Sequence, residues 1–283
     1  IDEFAPRISW IFNTHNNFFE EIAKYRTLRR LWARMLKERY GASDPRSMML
    51  RTHTQTGGST LVAQQPENNI VRAAIQSLAA VIGGVQSIAL SCFDEALALP
   101  TDDAQRIALR TQQVIAHETG VTDTIDPMAG SYYIEHLTNQ LERQAQEYMD
   151  QIDAMGGSVT AIETGWMQTQ IAEASWRYQQ EVDEKREIIV GVNEYAEGAE
   201  QRPSIFSVDK RLVEHQIKRL AHHRKERDQA KVAASLEALK ATCHGTGNLM
   251  PAILESVRAY ATLGEICGAM REVFGEYHPP TVI

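Results

Sequence analysis

The chain has 283 residues, 43% of them apolar and 23% charged, with 17 Gly and 9 Pro, a globular composition that excludes disordered, collagen-like and coiled-coil rod classes. Its 37 acidic against 29 basic side chains give a formal net charge of −8, so no overall positive field exists to draw a nucleic-acid backbone. Cys92, Cys243 and Cys267 are widely separated and suggest neither a disulfide framework nor a thiolate metal site, which fits a reducing compartment with the cytoplasm as the default.

In chain order, residues 8–13 read as a short strand, and from Asn17 the spacing Phe18, Ile22, Tyr25, Leu28, Trp32, Met35 predicts an amphipathic helix that stops at Gly41. A strand over 48–53, a Gly-rich loop and a helix over 66–81 follow, then a strand over 84–90 and a helix over 104–117. A weaker fourth strand is predicted at 121–125, before a helix over 133–155 ended by Gly156-Gly157. Strands alternating with helices of this length imply parallel strands with right-handed crossovers, so 1–157 reads as half of a (β/α)8 TIM-type barrel in an α/β protein. Beyond it, 158–283 reads as a mainly helical extension, with helices over 161–184, 210–240, 249–260 and 263–274, one strand-like interruption at 188–192 and a hinge at 193–203. No apolar run approaches the roughly 18 residues needed to cross a bilayer, so no membrane association is expected. The chain starts at Ile1 rather than Met and lacks a charged leader before an apolar run, and it is expected to be a piece of a longer protein.

The segment Arg51-Thr52-His53-Thr54-Gln55-Thr56-Gly57-Gly58 is polar on both alternating faces, where a packed barrel interior would be aliphatic. Buried polar groups need partners, so this pattern points to a polar ligand in the barrel mouth, with the glycine pair admitting backbone close to a large flat group. Asp94 and Glu95 are adjacent and cannot share a proton as facing carboxylates do; they either accept from a ligand hydroxyl or favour the start of a short helix. The nine histidines show no metal-ligand spacing, and no phosphate-binding G-x-x-x-x-G-K-[ST] motif occurs. The basic run Lys24, Arg26, Arg29, Arg30, Arg34, Lys37, Arg39 reads as an outer helix face, solvated or paired with an acidic partner subunit, and Trp166 and Trp176 read as packing residues.

Seven ordered blocks carry a resemblance: Phe4-Ala5-Pro6-Arg7-Ile8-Ser9, Glu20-Glu21-Ile22-Ala23-Lys24, Arg51-Thr52-His53-Thr54-Gln55-Thr56, Asn68-Asn69-Ile70-Val71-Arg72, Phe93-Asp94-Glu95-Ala96-Leu97 with Leu99-Pro100-Thr101, Asp126-Pro127 with Gly130-Ser131-Tyr132, and Ile189-Val190-Gly191-Val192-Asn193. In this order they resemble the large subunit of methylmalonyl-CoA mutase and related acyl-CoA mutases. The resemblance implies radical carbon-skeleton rearrangement of an acyl-CoA with adenosylcobalamin, inside a barrel split along its axis by the pantetheine arm. It implies that Arg7, Ser9 and Arg51 bind substrate, that His53, in the polar wall between substrate and cofactor, and Gln86, near the acyl group, are the catalytic residues, and that Gln55, Gly58, Glu95, Ala96 and Leu99 lie against the cofactor, Glu95 on its ribose hydroxyls. No metal ligand is implied on this chain: the Asp-x-His-x-x-Gly motif that ligates cobalt does not occur, and Tyr277-His278-Pro279-Pro280 stands where a linker to the cobalamin-binding subunit or domain would begin. A dimer or hetero-oligomer is implied. Where the family block reads Gln-Ser-Leu-His-Thr-Asn, this chain has Gln86-Ser87-Ile88-Ala89-Leu90-Ser91, so 2-hydroxyisobutyryl-CoA, isobutyryl-CoA and a larger substituted succinyl-CoA stand beside methylmalonyl-CoA as substrates. A catalytically incompetent fragment or structural partner completing another barrel is the alternative class.

Overall fold

The computed structural model describes residues 1–198 and 204–278. The end of the predicted hinge, residues 199–203, and Pro279-Pro280 of the expected linker lie outside the described residues. Contacts divide the chain into two compact units, Ile1–Ser207 and Val208–Ile283, so the helices after residue 157 join the first unit up to Ser207.

Unit 1 is built on three parallel strands in the order β1-β2-β3: β1 (Trp10–Thr14), β2 (Thr52–Thr56) and β3 (Ser87–Ala89). The helices α1 (Phe18–Glu38), α2 (Asn68–Ile82) and α3 (Asp102–Glu118) follow the strands in turn, as the βα pattern requires. Then come α4 (Tyr132–Ala154), α5 (Ser158–Glu163) and α6 (Trp166–Asp183). The second strand lies about four residues later than predicted, because apolar content favoured Met48–Leu50 over a threonine-rich segment. The fourth strand does not form: residues 121–125 are turns and bends, and Ile125 is almost wholly exposed. At 188–192 there is a single bridge, Val190 to Glu194, rather than a strand. The observed architecture is therefore mixed α/β with a small parallel sheet and many helices, three strands where four were expected.

Register fixes what each strand face does. Trp10 pairs with Thr52, Phe12 with Thr54 and Thr14 with Thr56, so these six side chains share one face. That face meets α1: the Trp10 and Trp32 rings are edge-to-face at 5.5 Å, Phe12 meets Tyr25 at 6.3 Å, and Thr14, Thr54 and Tyr25 join their hydroxyls in a closed buried triangle at 2.6–2.8 Å. Burial of the Tyr25 ring and hydroxyl raises its pKa. Thr52 and Thr56 are also satisfied within the chain, by Gln86 and by the Ser91 backbone amide. This corrects the expectation that both faces of β2 lack partners on the chain, since the threonine face is satisfied within the fold.

Most of the basic run along α1 pairs with carboxylates of the same chain. Arg26 bonds Asp126 and Glu135, Arg30 and Arg34 bond Glu142, and Arg39 bonds Asp153, a charge ladder that seats α4 along α1. The predicted helix over 161–184 breaks at Gly165, whose φ of 77° is the left-handed conformation glycine adopts freely. Trp166 packs edge-to-face on Tyr148, whereas Trp176 is exposed and does not act as a packing residue.

Unit 2 consists of α7 (Lys210–Glu226), α8 (Gln229–Cys243), α9 (Met250–Arg258) and α10 (Leu263–Phe274). The predicted helix over 210–240 divides because Asp228 caps α8 by accepting from the Lys231 amide. Leu239, Cys243, Ile266 and Ala269 form its core, and Thr262 with Glu265 closes a reciprocal capping box on α10.

Candidate functional site

The sheet face opposite the helices carries the candidate residues. Ile11 pairs with His53 and Asn13 with Gln55, while His53 pairs with Ser87 and Gln55 with Ala89 across to β3. Among the described residues no helix of unit 1 covers this face, and Ile11, Asn13, Gln55 and Ser87 are exposed on it with His53 half-buried. The polar set predicted to line an interior thus sits where a ligand can reach it.

The residues sort by height along the strands. At the N-terminal edge, the Arg51 guanidinium donates to the carbonyls of Pro6 and Ile8 (3.3 Å to the latter), clamping the turn that presents exposed Arg7 and Ser9. Gln86 lies at the same edge: its Oε1 accepts from the Thr52 amide at 2.7 Å and hydroxyl at 3.1 Å, and its Nε2 donates to the Gly84 carbonyl. Its amide is thereby largely engaged by its own chain. In the middle, His53 Nδ1 bonds Ser87 Oγ at 2.8 Å, leaving Nε2 as the ring nitrogen without a hydrogen-bond partner among the described residues.

At the C-terminal edge, where active sites of parallel α/β sheets lie, Gln55 Nε2 donates to Ser91 Oγ at 3.3 Å, and Ser91 Oγ in turn donates to the Thr56 carbonyl at 2.8 Å. Gly58 faces Glu95 and Ser91 so closely that a Cβ there would overlap the Glu95 carboxylate. Among the described residues nothing hydrogen-bonds that carboxylate, which is exposed together with Ala96 and Leu99 on the turn after β3. Asp94 behaves differently. It is buried, and its Oδ2 accepts from the Thr101 amide and hydroxyl, fixing the residue that caps α3. Of the adjacent pair, one carboxylate builds the loop and the other faces outward.

Sequence reasoning missed the residues that hold this edge together. Asn69, wholly buried at the start of α2, donates to the carbonyls of Val62 and Phe93 at 2.8 and 2.9 Å and accepts from the Val62 amide and Arg72. One side chain therefore ties the loop after β2 to the loop after β3. Arg72 extends the brace to the Val190 carbonyl, bringing the 189–193 block against the same edge. Ser87 and Asn13 were also missed. Small polar residues at period two are the signal that would have found them.

No group of three or more His, Cys, Asp or Glu able to hold a metal ion occurs among the described residues. Cys92 is buried beside Asp94 and Glu95, and burial raises its thiol pKa, so it is not an activated nucleophile. What the open face offers is a polar floor about four residues long, roughly 13 Å at about 3.3 Å per residue. Cationic and hydroxyl groups stand at one end, with an amide, a glycine and a free carboxylate at the other. The half-buried Gly58 and the exposed Ala96 and Leu99 stand with Gln55 and Glu95 at this edge, small and apolar groups together with hydrogen-bonding ones. That donor set fits a large flat cofactor bearing hydroxyls.

A parallel sheet with an open polar face and loops braced at its C-terminal edge places the chain in the mixed α/β class. The profile of the methylmalonyl-CoA mutase family matches residues 1–276, and the chain belongs to that family. It is 43% identical over its whole length to a 2-hydroxyisobutanoyl-CoA mutase large subunit of Aquincola tertiaricarbonis, covering 50% of that protein. It is 46% identical over 98% of its length to a methylmalonyl-CoA mutase of Rhizobium meliloti and 43% over 99% to that of Escherichia coli, covering 39% of each. The chain thus spans about half or less of the length of the relatives it matches. No described helix is long and apolar enough to cross a membrane.

Proposed function

We propose that this chain contributes one wall of the active site of an adenosylcobalamin-dependent acyl-CoA mutase of the methylmalonyl-CoA/succinyl-CoA type. Its three strands would form part of a (β/α)8 barrel in the whole protein, which functions in the cytoplasm. The observation that carries this reading is the ordering of groups along the helix-free face of the sheet. Arg7, Ser9 and Arg51 at the N-terminal edge would bind the polar parts of the CoA arm, since guanidinium forks and hydroxyls match its phosphates and amides. The arm would run toward the C-terminal edge, where Gln55, Gly58, Glu95, Ala96 and Leu99 would hold the cofactor, Glu95 accepting from ribose hydroxyls. When bound, that group supplies the one-electron chemistry of the rearrangement.

The work of this chain's own residues is positioning. Ser87 fixes the His53 ring through Nδ1, so that Nε2 is held toward the acyl group and can donate to or accept from its carbonyl oxygen. Gln86 acts at the acyl region through the β2 backbone it clamps. Burying this face against substrate and the remaining barrel would exclude water from a reactive species. The rest of the barrel, the cobalt ligand and the cobalamin-binding subunit or domain come from outside this chain, in a dimer or hetero-oligomer.

Ala89, whose methyl sits beside Gln55 on the open face, leaves room for a branched acyl group, which supports 2-hydroxyisobutyryl-CoA or isobutyryl-CoA as an alternative substrate. The test is reconstitution of the full-length protein with its cobalamin-binding partner and adenosylcobalamin, assayed on methylmalonyl-, 2-hydroxyisobutyryl- and isobutyryl-CoA. Isomerisation of any one supports a mutase and selects the substrate. No turnover on all three favours a structural partner.

A further inference from the structure

Away from the open face, a cavity of about 310 Å3 lies between α1 and α4, lined by Arg26, Arg29, Arg30, Asp126, Glu135 and Thr138. Its volume is at the lower end of the range of about 300–1,000 Å3 typical of small-ligand sites. Three guanidinium groups face two carboxylates, and both carboxylates are taken by one of the three. Arg26 Nε reaches Asp126 at 3.1 Å and its Nη2 reaches Glu135 at 2.7 Å. Glu135, lowered in pKa chiefly by the Arg26 hydrogen bond, is held ionised and committed there, and it also accepts from the Gly130 amide.

The other two are underserved. Arg29 meets no carboxylate within ion-pair distance among the described residues; its Nη1 donates to the Gly83 and Gly84 carbonyls at the end of α2, and its Nε and Nη2 have no protein acceptor. Burial makes its charged form less favourable, and the attraction of Asp126, offset by repulsion from Arg26, does not outweigh that burial. Arg30 bonds Glu142 and Asn139 through Nη2, yet its buried Nε has no acceptor among the described residues. A buried charged donor without an acceptor is costly, and an anion between the two would remove the deficit on both.

We propose that this cavity is a binding site for one small oxyanion, of the phosphate or carboxylate class, held by Arg29 and Arg30. Guanidinium forks match both anions in bidentate geometry. Bound there, the anion braces α1, α4 and the end of α2 together. The site also gives a role to Asp126-Pro127 and Gly130-Ser131-Tyr132, a sequence block that the open face leaves unused: Asp126, in the left-handed region at φ 48°, and Gly130 position Arg26 and Glu135 so that they leave Arg29 free.

The experiment is a titration of the full chain with inorganic phosphate, and separately with acetate and succinate, at ionic strength held constant with chloride. Binding is followed by phosphorus NMR line width and by the thermal midpoint. We expect saturable binding at one site per chain, with a midpoint that rises and levels off, and affinity at least tenfold weaker in Arg29→Lys, which keeps the charge but loses the fork. Arg29→Met should abolish the saturable component. Preference among the three probes assigns the anion class. Absence of saturable binding by the wild-type chain overturns the proposal, as does equal affinity in Arg29→Lys.

Discussion

The Glu95 carboxylate occupies the space that a side chain at Gly58 would take, so a β-carbon at position 58 would push the exposed end of Glu95 aside. Gly58 does not adopt a positive φ, so alanine there is unstrained in its backbone and its effect falls on Glu95 alone. Gly58→Ala is expected to leave the thermal midpoint within about 2 °C and to weaken cofactor binding by the reconstituted protein about tenfold, near 1.4 kcal/mol. Spectroscopic cobalamin titration against Glu95→Gln, which should weaken binding comparably, checks both. Unchanged affinity in Gly58→Ala would remove Glu95 from the proposed site.

The hydroxyl triangle of Thr14, Tyr25 and Thr54 makes a different prediction on the other side of the same strands. Thr54 is wholly buried and bonds Tyr25 Oη at 2.6 Å and Thr14 Oγ1 at 2.8 Å. Thr54→Val keeps the shape and removes the hydroxyl, leaving the other two bonded to each other at 2.7 Å. The cost should therefore sit at the low end of the range for disturbed buried hydrogen bonds, about 1–2 kcal/mol in urea unfolding. Thr54→Ala should cost more, because a cavity is added.

These two faces explain what could be read from the sequence. The alternation of strands and helices was legible, since apolar periodicity follows burial and α1, α2 and α3 bury amphipathic stripes. The β2 boundary was not, because Thr54 and Thr56 are buried through hydrogen bonds that hydropathy does not register. The fourth strand fails for a long-range reason: Arg26, a hundred residues away in sequence, holds Asp126 against α1, and the chain from 121 onward is drawn toward that ion pair rather than along β3. Local pattern cannot see such a partner. At the candidate site, His53, Gln55 and Glu95 stood out as polar residues in unusual places, whereas Asn69 was one more polar residue at the start of a helix, and only the meeting of Val62 and Phe93 around it shows what it does.

Asn69 accordingly invites a test of stability against function. Asn69→Asp retains one acceptor but loses both donated bonds and buries a charge, and it should cost about 3 kcal/mol or more. Asn69→Ser should be milder while still freeing the two loops. If the brace positions the C-terminal edge, Asn69→Ser lowers kcat of the reconstituted enzyme more than its global stability loss accounts for, and hydrogen exchange rises at 57–62 and 93–98 together.

The charge ladder on α1 separates buried from exposed ion pairs. Arg39 and Asp153 are each about half exposed, so Arg39→Gln should leave stability nearly unchanged and be insensitive to further salt. The Arg26 side chain is only 13% exposed and bonds two carboxylates and Thr138. Arg26→Gln is expected to cost about 2–4 kcal/mol, because Asp126 and Glu135 lose their partner in a partly desolvated place. Chemical denaturation of the two variants side by side measures the contrast, and equal effects would mean that the ladder acts only as a solvated surface.

In unit 2 the Glu265 carboxyl is pulled from 4.5 to about 2, first by hydrogen bonds from the Arg227 guanidinium and then by the Thr262 amide and hydroxyl, against a desolvation that acts the other way. A carboxyl whose pKa is lower in the folded than in the unfolded chain adds stability above its unfolded value and loses it as pH falls through the folded one. The contribution of Glu265 is therefore complete above roughly pH 4.5 and fades between there and about pH 2. Glu265→Gln removes the charge, weakens the capping box by about 1 kcal/mol near neutral pH and flattens the stability curve across that acid window. Urea unfolding of both forms from pH 7 down to 2.5 reads the difference, which should shrink as the pH drops; a gap that stays constant would show that the cap, rather than the ionised Arg227–Glu265 pair, carries the effect.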